Sequence, residues 1–467
     1  MTGGLGPHVL YANPDCTVFV LDLPYSIAQA QELCVKTIRA QEFSPATGSV
    51  ELARGIAGYP LSKSALEESH PSPSEPKSEA ARQRLLARIP PTELETHEYQ
   101  TTIIEPRVQV SLDSIYSEYG VNSEDRSRSP KWILPRLIFD DMPENEQLDT
   151  GAYRLFSRHR NGVPPTILSS SGTTRFNSIF DLTGVVKNPF TEAVKLFIDG
   201  DQDRQEPSAL YRVPPKSNVL LCTLSLNKWS VLENPIPGLS RDYRFNLILM
   251  DPPWPNRSVR RSQAYQVAAY TDIEALKQRL KDILQAHACQ APARQSMPVH
   301  GPQPIVSIPS NQPSQESFAA IWITGSHKTR AVAYETLRSS GFKLHEEWIW
   351  VKITAHGKPV GPVDGLWRKP YEILVIALGI AGVDVSTIPK RVIAAAPDFH
   401  SRKPSLKSLF ERYLFGLDPA GQQAPTEFYS ALEVFARHLT AGWWACGNEV
   451  MKFNHCDYWV EDNGSVL

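Results

Sequence analysis

The chain has 467 residues, enough for two or three domains, one of which can bury a full α/β core. Its 48 basic and 50 acidic residues give a formal net charge of -2, so any binding of nucleic acid must come from local patches. Six cysteines without a C-x-x-C pair or a zinc-like spacing favour a reducing compartment over a disulfide framework or a structural metal. Since neither a secretory signal nor a membrane-spanning apolar run is found, we expect a soluble intracellular protein.

The N-terminal part of the chain has no readable chemistry. Residues 1–65 hold one plausible strand, CTVFVLDL, and one plausible helix, and they are assigned as a segment of unknown role. Residues 66–110 begin with a Pro/Ser/Glu-rich stretch that cannot bury enough apolar surface to order itself, which predicts a linker, followed by a short helix. Residues 111–205 are of mixed composition and are interpreted as an N-terminal accessory region.

From about residue 206 the pattern changes to short apolar runs of strand length, separated by helical periods. Leu276, Leu280, Ile283 and Leu284 follow the spacing of an amphipathic helix. Strands that are apolar on both faces, interleaved with such helices, are typical of a mostly parallel sheet that binds ligands at the carboxyl ends of its strands. Residues 206–467 are therefore predicted to form an α/β domain, with a proline-rich disordered insertion at about 285–316.

The segment LILMDPPWPNRS, residues 247–258, ends an apolar strand with a carboxylate. Pro252 lacks an N–H group and fixes φ, so the Asp251 carboxylate and the Pro252 carbonyl form two adjacent acceptors in a stiff frame. Such a pair suits the two hydrogens of one planar amine, such as the exocyclic amine of adenine, on which Trp254 could stack. The alternative is an Asp-Pro turn in which Trp254 closes a core.

Together with further motifs, this segment resembles the MT-A70 family of adenine N6-methyltransferases, in particular its methyltransferase-like protein four clade. The resemblance covers roughly residues 206–460, and its motifs follow in the order that the clade shows. They are YRVPPKSNVLLCTLS (211–225), LILMDPPWPNRSVRRSQAY (247–265), EEWIWVKIT (346–354), RKPYEILV (368–375), HSRKPSL (400–406) and GWWACGNEVMKFNH (442–455).

The resemblance implies a fold, a cofactor and a catalytic motif. The fold is a Rossmann-like core of seven strands with a permuted motif order, in which the catalytic motif precedes the cofactor-binding strand. The cofactor is S-adenosylmethionine, the methyl donor. The implied catalytic residues are Asp251, Pro252, Pro253 and Trp254.

The family also implies which residues hold the donor. Lys403, before a helix predicted to begin near Ser405, would meet the methionine carboxylate, and Arg437, at the end of a predicted strand LEVFARH, would reach the ribose hydroxyls. The full set is Cys222, Thr223, Lys403, Arg437, His438, Asn448 and Glu449.

Two departures from the family pattern concern donor affinity. Where the family commonly has an acidic residue after the VLL strand, this chain has Cys222 and Thr223, and Thr223 offers a hydroxyl but no carboxylate. His438 stands where the clade tends to have asparagine. Weaker donor binding is therefore an open possibility.

The substrate side is predicted from the loop after Trp254. Arginines interleaved with Tyr265 suit phosphate contacts around an extruded base, and a solvated loop is the alternative. Trp350 either lines the pocket or packs behind it. The predicted substrate-binding residues are Asn256, Arg257, Arg260, Arg261, Trp350 and Lys352, and no metal is expected.

The sequence thus predicts a methyltransferase that acts on the N6 amine of adenine in nucleic acid. The substrate is either RNA, such as a 2'-O-methylated adenosine in U2 small nuclear RNA, or DNA. The alternative is a catalytically inactive nucleic-acid-binding scaffold subunit, which the intact catalytic motif disfavours. A small-molecule methyltransferase is a third possibility, disfavoured by the arginine loop. We expect a monomer with no membrane association, located in the nucleus, with the cytoplasm as a second compartment.

Overall fold

A computed structural model provides the structure of the chain. It describes residues 6–32, 59–70, 75–119, 132–134, 136, 163–170, 172–182, 184–200, 208–224, 234–254, 272–289, 317–366, 368–379, 388–417 and 429–460. Within these ranges, no helix has both the length and the apolar composition that a membrane crossing requires.

The described residues form α-helices and β-strands in mixed order. The helices are α1 (Leu23–Ala30), α2 (Glu79–Leu86), α3 (Pro91–Tyr99), α4 (Glu105–Glu118), α5 (Ile273–His287), α6 (His327–Ser339) and α7 (Lys407–Tyr413), and a π-helical turn, Gln100–Ile104, joins α3 to α4. The strands are β1 (Val9–Ala12), β2 (Val18–Leu21), β3 (Tyr59–Pro60), β4 (Thr166–Ile167), β5 (Thr173–Phe176), β6 (Val186–Lys187), β7 (Val194–Ile198), β8 (Ala209–Val213), β9 (Asn218–Leu221), β10 (Leu247–Met250), β11 (Phe318–Ile323), β12 (Lys343–Lys352), β13 (Tyr371–Leu378), β14 (Lys390–Ala395), β15 (Ala431–Val434), β16 (Trp444–Gly447) and β17 (Trp459–Val460).

A twelve-stranded sheet with the order β1-β2-β14-β12-β13-β11-β10-β15-β16-β9-β6-β4 forms the centre of the molecule. Its seven strands from β12 to β9 are parallel to one another except β13, which is antiparallel to both of its neighbours. β10 lies in the middle of these seven and precedes β15 and β16 in the sequence. The predicted α/β class is confirmed, and the position of β10 before β15 and β16 agrees with the predicted permuted motif order.

Both faces of the sheet are buried, as the apolar runs predict. Along β10, Ile248 and Met250 belong to one core cluster, and Leu247 and Leu249 belong to the other. The first cluster also contains Leu276 of α5, whose apolar stripe covers that face. Each fully buried side chain of this kind contributes roughly 1.5–3 kcal/mol. The packing fixes β10, and with it the position of the residues that follow.

The predicted domain boundary at residue 206 is wrong, because strands from before it belong to the central sheet. β2 pairs in parallel with β14, and β1 pairs with β2 at that edge. At the opposite edge, β6 pairs with β9, and β4 pairs with β6. Strands of two to four residues carry little pattern of their own, so their attachment to the sheet could not be predicted from composition.

The predicted bounds of the linker, residues 66–110, are wrong, because helices begin at Glu79 and continue past residue 110, where the sequence predicts one short helix. α3, the π-helical turn and α4 follow one another without a break; α3 packs against α6, and α4 packs on β2 and β14 of the sheet. Gln100 donates from Nε2 to the Gly325 carbonyl at 2.7 Å, and Glu105 pairs with Lys369. Only three buried apolar side chains, Val108, Leu112 and Ile115, hold α4, so its hydrophobic pattern is weak in the sequence.

Three smaller predictions of element boundaries also need correction. α5 continues to His287, and Ala288 bridges to Phe245, so the insertion cannot begin at residue 285; residues 290–316 lie outside the described ranges. The helix expected near Ser405 begins at Lys407. The strand expected over LEVFARH ends at Val434. Helix and strand ends depend on hydrogen bonds that local sequence specifies poorly.

Candidate active site

The carboxyl end of β10 carries the predicted catalytic motif. The Asp251 amide donates to the Val434 carbonyl at 3.3 Å, which fixes the residue between the ends of β10 and β15. The Pro252 carbonyl accepts the Trp254 amide at 2.8 Å and keeps a second lone pair. The Trp254 indole donates from Nε1 to the Trp322 carbonyl at 2.7 Å, so the ring is held in one orientation.

Two cations contact the Asp251 carboxylate. Arg437 Nη1 lies 2.8 Å and Lys403 Nζ lies 3.2 Å from Asp251 Oδ2. Arg437 also pairs through Nε with Glu449 at 3.0 Å, and Lys403 pairs with Glu372 at 3.0 Å. The Asp251 carboxylate is thus the centre of a network of ion pairs. Its members come from the loop before α7, the turns after β15 and β16, and the start of β13.

Neighbouring charges determine the ionisation states of Glu372 and Lys403 in this network. Burial alone raises the pKa of the Glu372 carboxyl, but the ammonium groups of Lys352 and Lys403 hold it well below its ordinary value. Burial alone lowers the pKa of the Lys403 ammonium, but the Asp251 and Glu372 carboxylates hold it above its ordinary value. These groups are therefore charged at neutral pH.

Glu433 of β15 behaves differently from its neighbours. Burial, and then the charge of Asp251, raise the pKa of its carboxyl to about 8, against the lowering influence of Arg437 and Lys403. Its carboxyl is therefore mostly neutral at pH 7. A second negative charge beside Asp251 is avoided in this way.

A cavity of about 450 Å³ opens in front of Asp251. Its wall combines aromatic rings, several cations and three carboxylates, which suits a flat, polar ligand with anionic groups. Its lining includes Lys63, Asp251, Pro252, Pro253, Trp254, Trp322, Trp350, Lys352, Glu372, Asp398, Phe399, His400, Arg402, Lys403 and Arg437.

Part of the chain that forms this site is similar to known proteins. The family model MT-A70 matches residues 304–449. The chain carries an MT-A70 domain. It is 36% identical over 226 residues to the N6-methyladenosine RNA methyltransferase MTA1 of Cryphonectria parasitica, covering 46% of this chain and 55% of that protein. It is 34% identical to MTA1 of Pyricularia oryzae, covering 54% and 57%, and 30% identical to the human N(6)-adenine-specific methyltransferase METTL4, covering 54% and 45%. The chain thus matches about half the length of these relatives.

The predicted catalytic residues, which precede the matched segment, and part of the predicted substrate side line the same cavity. Trp350 both lines the cavity and packs in the core, since its indole donates to the Ala395 carbonyl at 3.2 Å. Lys352 lines the cavity and pairs with Glu372 at 2.6 Å. The predicted substrate residues Asn256, Arg257, Arg260 and Arg261 lie outside the described residues.

The predicted donor-binding residues fall into two groups. Lys403 and Arg437 line the cavity, and Glu449 is tied to it through Arg437. Cys222 and His438 are buried and are not among the lining residues, and Cys222 belongs to the apolar core. Burial also lowers the pKa of His438 to about 4, so this imidazole is neutral at pH 7.

The segments that follow the carboxyl ends of β9 and β16 have the features of a binding site for the polar groups of S-adenosylmethionine. The Cys222 amide donates to the Gly447 carbonyl at 3.1 Å, which brings Thr223 beside the turn that carries Asn448 and Glu449. The Thr223 hydroxyl is buried and has no hydrogen-bond partner among the described residues. Gly447 has a positive φ, and a Cβ there would lie 3.2 Å from the Phe435 backbone. These residues, together with Lys403, fit an amino acid carboxylate and ribose hydroxyls.

Several residues of the site were not found from the sequence, among them Glu372, Glu433, Lys63 and Phe399. Glu372 and Glu433 are single acids within apolar strands, a pattern that could have marked them as buried and functional. Phe399 directly precedes the HSRKPSL motif but is not part of it, and Lys63 comes from a segment with no recognisable motif. Lys63 was missed because its segment is 188 residues before Asp251 in the sequence, and only the folded chain brings it to the cavity.

Proposed function

We propose that the chain transfers a methyl group from S-adenosylmethionine to the exocyclic N6 amine of adenine in nucleic acid. The observation that carries this proposal is the position of Asp251 and Pro252 on the cavity wall, with Lys403 and Arg437 in contact with the Asp251 carboxylate. The names of two similar proteins support it, since each is named as a methyltransferase acting on adenine or adenosine.

The donor, when bound, supplies an electrophilic methyl carbon on its sulfonium sulfur. Asp251 and the free lone pair of the Pro252 carbonyl each accept one hydrogen of the substrate amine. The nitrogen lone pair, otherwise delocalised into the base, would then face the methyl group, which the donor would give up with both electrons of the S–C bond remaining on sulfur. The cationic product amine loses one proton to water or to Asp251.

We assign the donor's polar groups to the charged residues around Asp251. Lys403 would hold the methionine carboxylate. Arg437 and Glu449 would hold the ribose hydroxyls, and Asn448 lies next to Glu449 in the same turn. Thr223 supplies a buried hydroxyl for the adenine end, in place of the carboxylate that the family commonly has. Because a hydroxyl is a weaker acceptor than a carboxylate, donor affinity is lower than a chain with an acid there would have.

RNA is the substrate that we favour. Two of the compared relatives are named as RNA methyltransferases, and 2'-O-methylated adenosine of small nuclear RNA is the specific target suggested by the clade. DNA adenine is the competing substrate. The second candidate function, an inactive scaffold subunit, would not need Asp251, Lys403 and Arg437 to remain together on a cavity.

Methyl transfer to defined oligonucleotides tests the proposal. The purified chain is incubated with labelled S-adenosylmethionine and single-stranded RNA with one adenosine, the same RNA with 2'-O-methyladenosine, or matched DNA. We expect transfer to RNA, and its loss in Asp251→Ala. Absence of transfer to all three oligonucleotides, or equal transfer by Asp251→Ala, would overturn the proposal, and oligonucleotide binding without transfer would favour the scaffold.

A further inference from the structure

The segment around Lys63 lies at the cavity although it is far from the MT-A70 domain in sequence. β3 pairs with β17, and the Leu61 amide donates to the Tyr458 carbonyl at 2.7 Å. The Arg402 guanidinium donates from Nη2 to the Leu61 carbonyl at 2.9 Å. The segment is thus fixed to the loop that carries Lys403.

The backbone of Lys63 is held on both sides. Its amide donates to Asp398 Oδ1 at 3.0 Å, and its carbonyl accepts from Arg136 Nη1 at 3.1 Å. Its side chain is exposed, and Nζ lies 5.8 Å from the centre of the Phe399 ring. A rigid backbone therefore presents a flexible cation at the cavity wall, next to an aromatic ring.

Lys63 differs from the other cations of the cavity wall in its ion pairing. Lys352 and Lys403 pair with Glu372, Arg437 pairs with Asp251, and Arg402 pairs with Asp398. Among the lysines and arginines that line the cavity in the described part of the chain, Lys63 is the one whose side chain has no carboxylate partner. An anion brought to this cavity therefore meets one cation whose charge is not already compensated.

Beside Lys63, Phe399 offers a partly exposed aromatic ring. Trp254, Trp322 and Trp350 are nearly fully buried, whereas Phe399 is half-buried and lines the cavity. Phe453 and Tyr458 pack against the Phe399 ring at 6.3 and 5.2 Å between centroids, so its position is fixed. A fixed, partly exposed ring beside a cation suits one nucleotide, with the base on the ring and the phosphate on the ammonium.

We propose that Lys63 and Phe399 form a subsite for the nucleotide adjacent to the target adenine, in which Lys63 binds the phosphate and Phe399 stacks on the base. This inference rests on the proposed function and names two further positioning residues for it. Single-stranded nucleic acid is favoured, because a base within a duplex has no free face for Phe399.

The test measures binding of a fluorescent single-stranded RNA with one adenosine to the full chain, by anisotropy over a series of salt concentrations. Lys63→Ala should weaken binding about tenfold at low salt and reduce the salt slope by about 0.7, the value for one phosphate contact on a single strand. Lys63→Arg should restore both, and Lys63→Glu should bind more weakly than Lys63→Ala. Lys195→Ala, which removes an exposed lysine of β7 away from the cavity, is the matched control.

Phe399→Leu tests the stacking half of the subsite and keeps apolar packing against Phe453 and Tyr458. We expect about tenfold weaker binding with the wild-type salt slope, since no charge is lost. The inference fails if Lys63→Ala keeps the affinity and slope of wild type, or if Phe399→Leu binds as tightly as wild type. A wild-type chain that methylates RNA while both variants bind normally would overturn the subsite alone, and a wild type without transfer to any nucleic acid would overturn the proposed function.

Discussion

Arg437 Nη1 lies 2.8 Å from Asp251 Oδ2, although 186 residues separate the two in the chain. Their side chains are only 10% and 15% exposed. Because β10 and β15 are neighbours in the sheet, the residues after each strand meet at its carboxyl edge. The pair is thus a direct product of the sheet order, and it joins the proposed acceptor of the substrate amine to the proposed donor site.

Asp251→Asn should show how much Asp251 contributes to methyl transfer and how much to stability. The amide is nearly isosteric, but it leaves Arg437 and Lys403 without their shared carboxylate and supplies a weaker acceptor to the amine. We expect methyl transfer to fall by about 10²–10³ and the free energy of unfolding to fall by about 3 kcal/mol. Transfer assays and urea unfolding check the two effects. Asp364→Asn, at a 64% exposed carboxylate, is the control, and wild-type turnover by Asp251→Asn would contradict the assigned role.

Arg437→Lys should weaken donor binding although charge is conserved. The guanidinium reaches Asp251 through Nη1 and Glu449 through Nε, at 2.8 and 3.0 Å, and one ammonium group cannot keep both geometries. We expect the affinity for S-adenosylmethionine to fall about tenfold in calorimetry, the size of losing one hydrogen bond to a charged group. The exposed Arg84→Lys in α2 should bind the donor as wild type does. Equal affinity of the Arg437 and Arg84 variants would show that the bridging geometry does not matter.

Much of the fold and the centre of the site could be predicted from the sequence, for physical reasons. β10 is buried on both faces, so it reads as a continuous apolar run, and the carboxylate after it falls where parallel sheets bind ligands. β1, β2 and Lys63 could not be placed, because a four-residue strand or a single lysine holds no information about its distant partner. The pairing of Lys403 with Glu372 was likewise unpredictable, since it depends on the register of β13 beside β12.

Glu433 should make stability fall as the pH rises. Burial, and then Asp251, raise the pKa of its carboxyl in the folded state from 4.5 to about 8, so the folded chain binds more protons than the unfolded chain between these values. The stability that the neutral carboxyl contributes is complete below about pH 4.5 and is lost as the pH rises towards and past 8, by an amount on the order of a few kcal/mol.

The comparison of Glu433→Gln with wild type isolates this effect from other titrations. The variant mimics the neutral carboxyl at every pH, so the two melting temperatures should be similar at pH 5, and the variant should melt at a higher temperature at pH 9. The matched control, Glu335→Gln in α6, changes a 61% exposed carboxylate and should show no such divergence. A constant difference between Glu433→Gln and wild type from pH 5 to 9 would mean that Glu433 is charged throughout.

Tyr99→Phe should loosen the helix that replaces the predicted linker. The Tyr99 hydroxyl donates to the Glu347 carboxylate, which is fully buried and also contacts Arg330 and Tyr334. Loss of one donor to a buried carboxylate should lower the free energy of unfolding by about 1.5–3 kcal/mol in urea titrations. Tyr116→Phe removes a hydroxyl from a 58% exposed side chain of α4 and should change stability by less than about 0.5 kcal/mol. If both variants unfold at the same urea concentration, the contact with Glu347 does not hold the helix on the sheet.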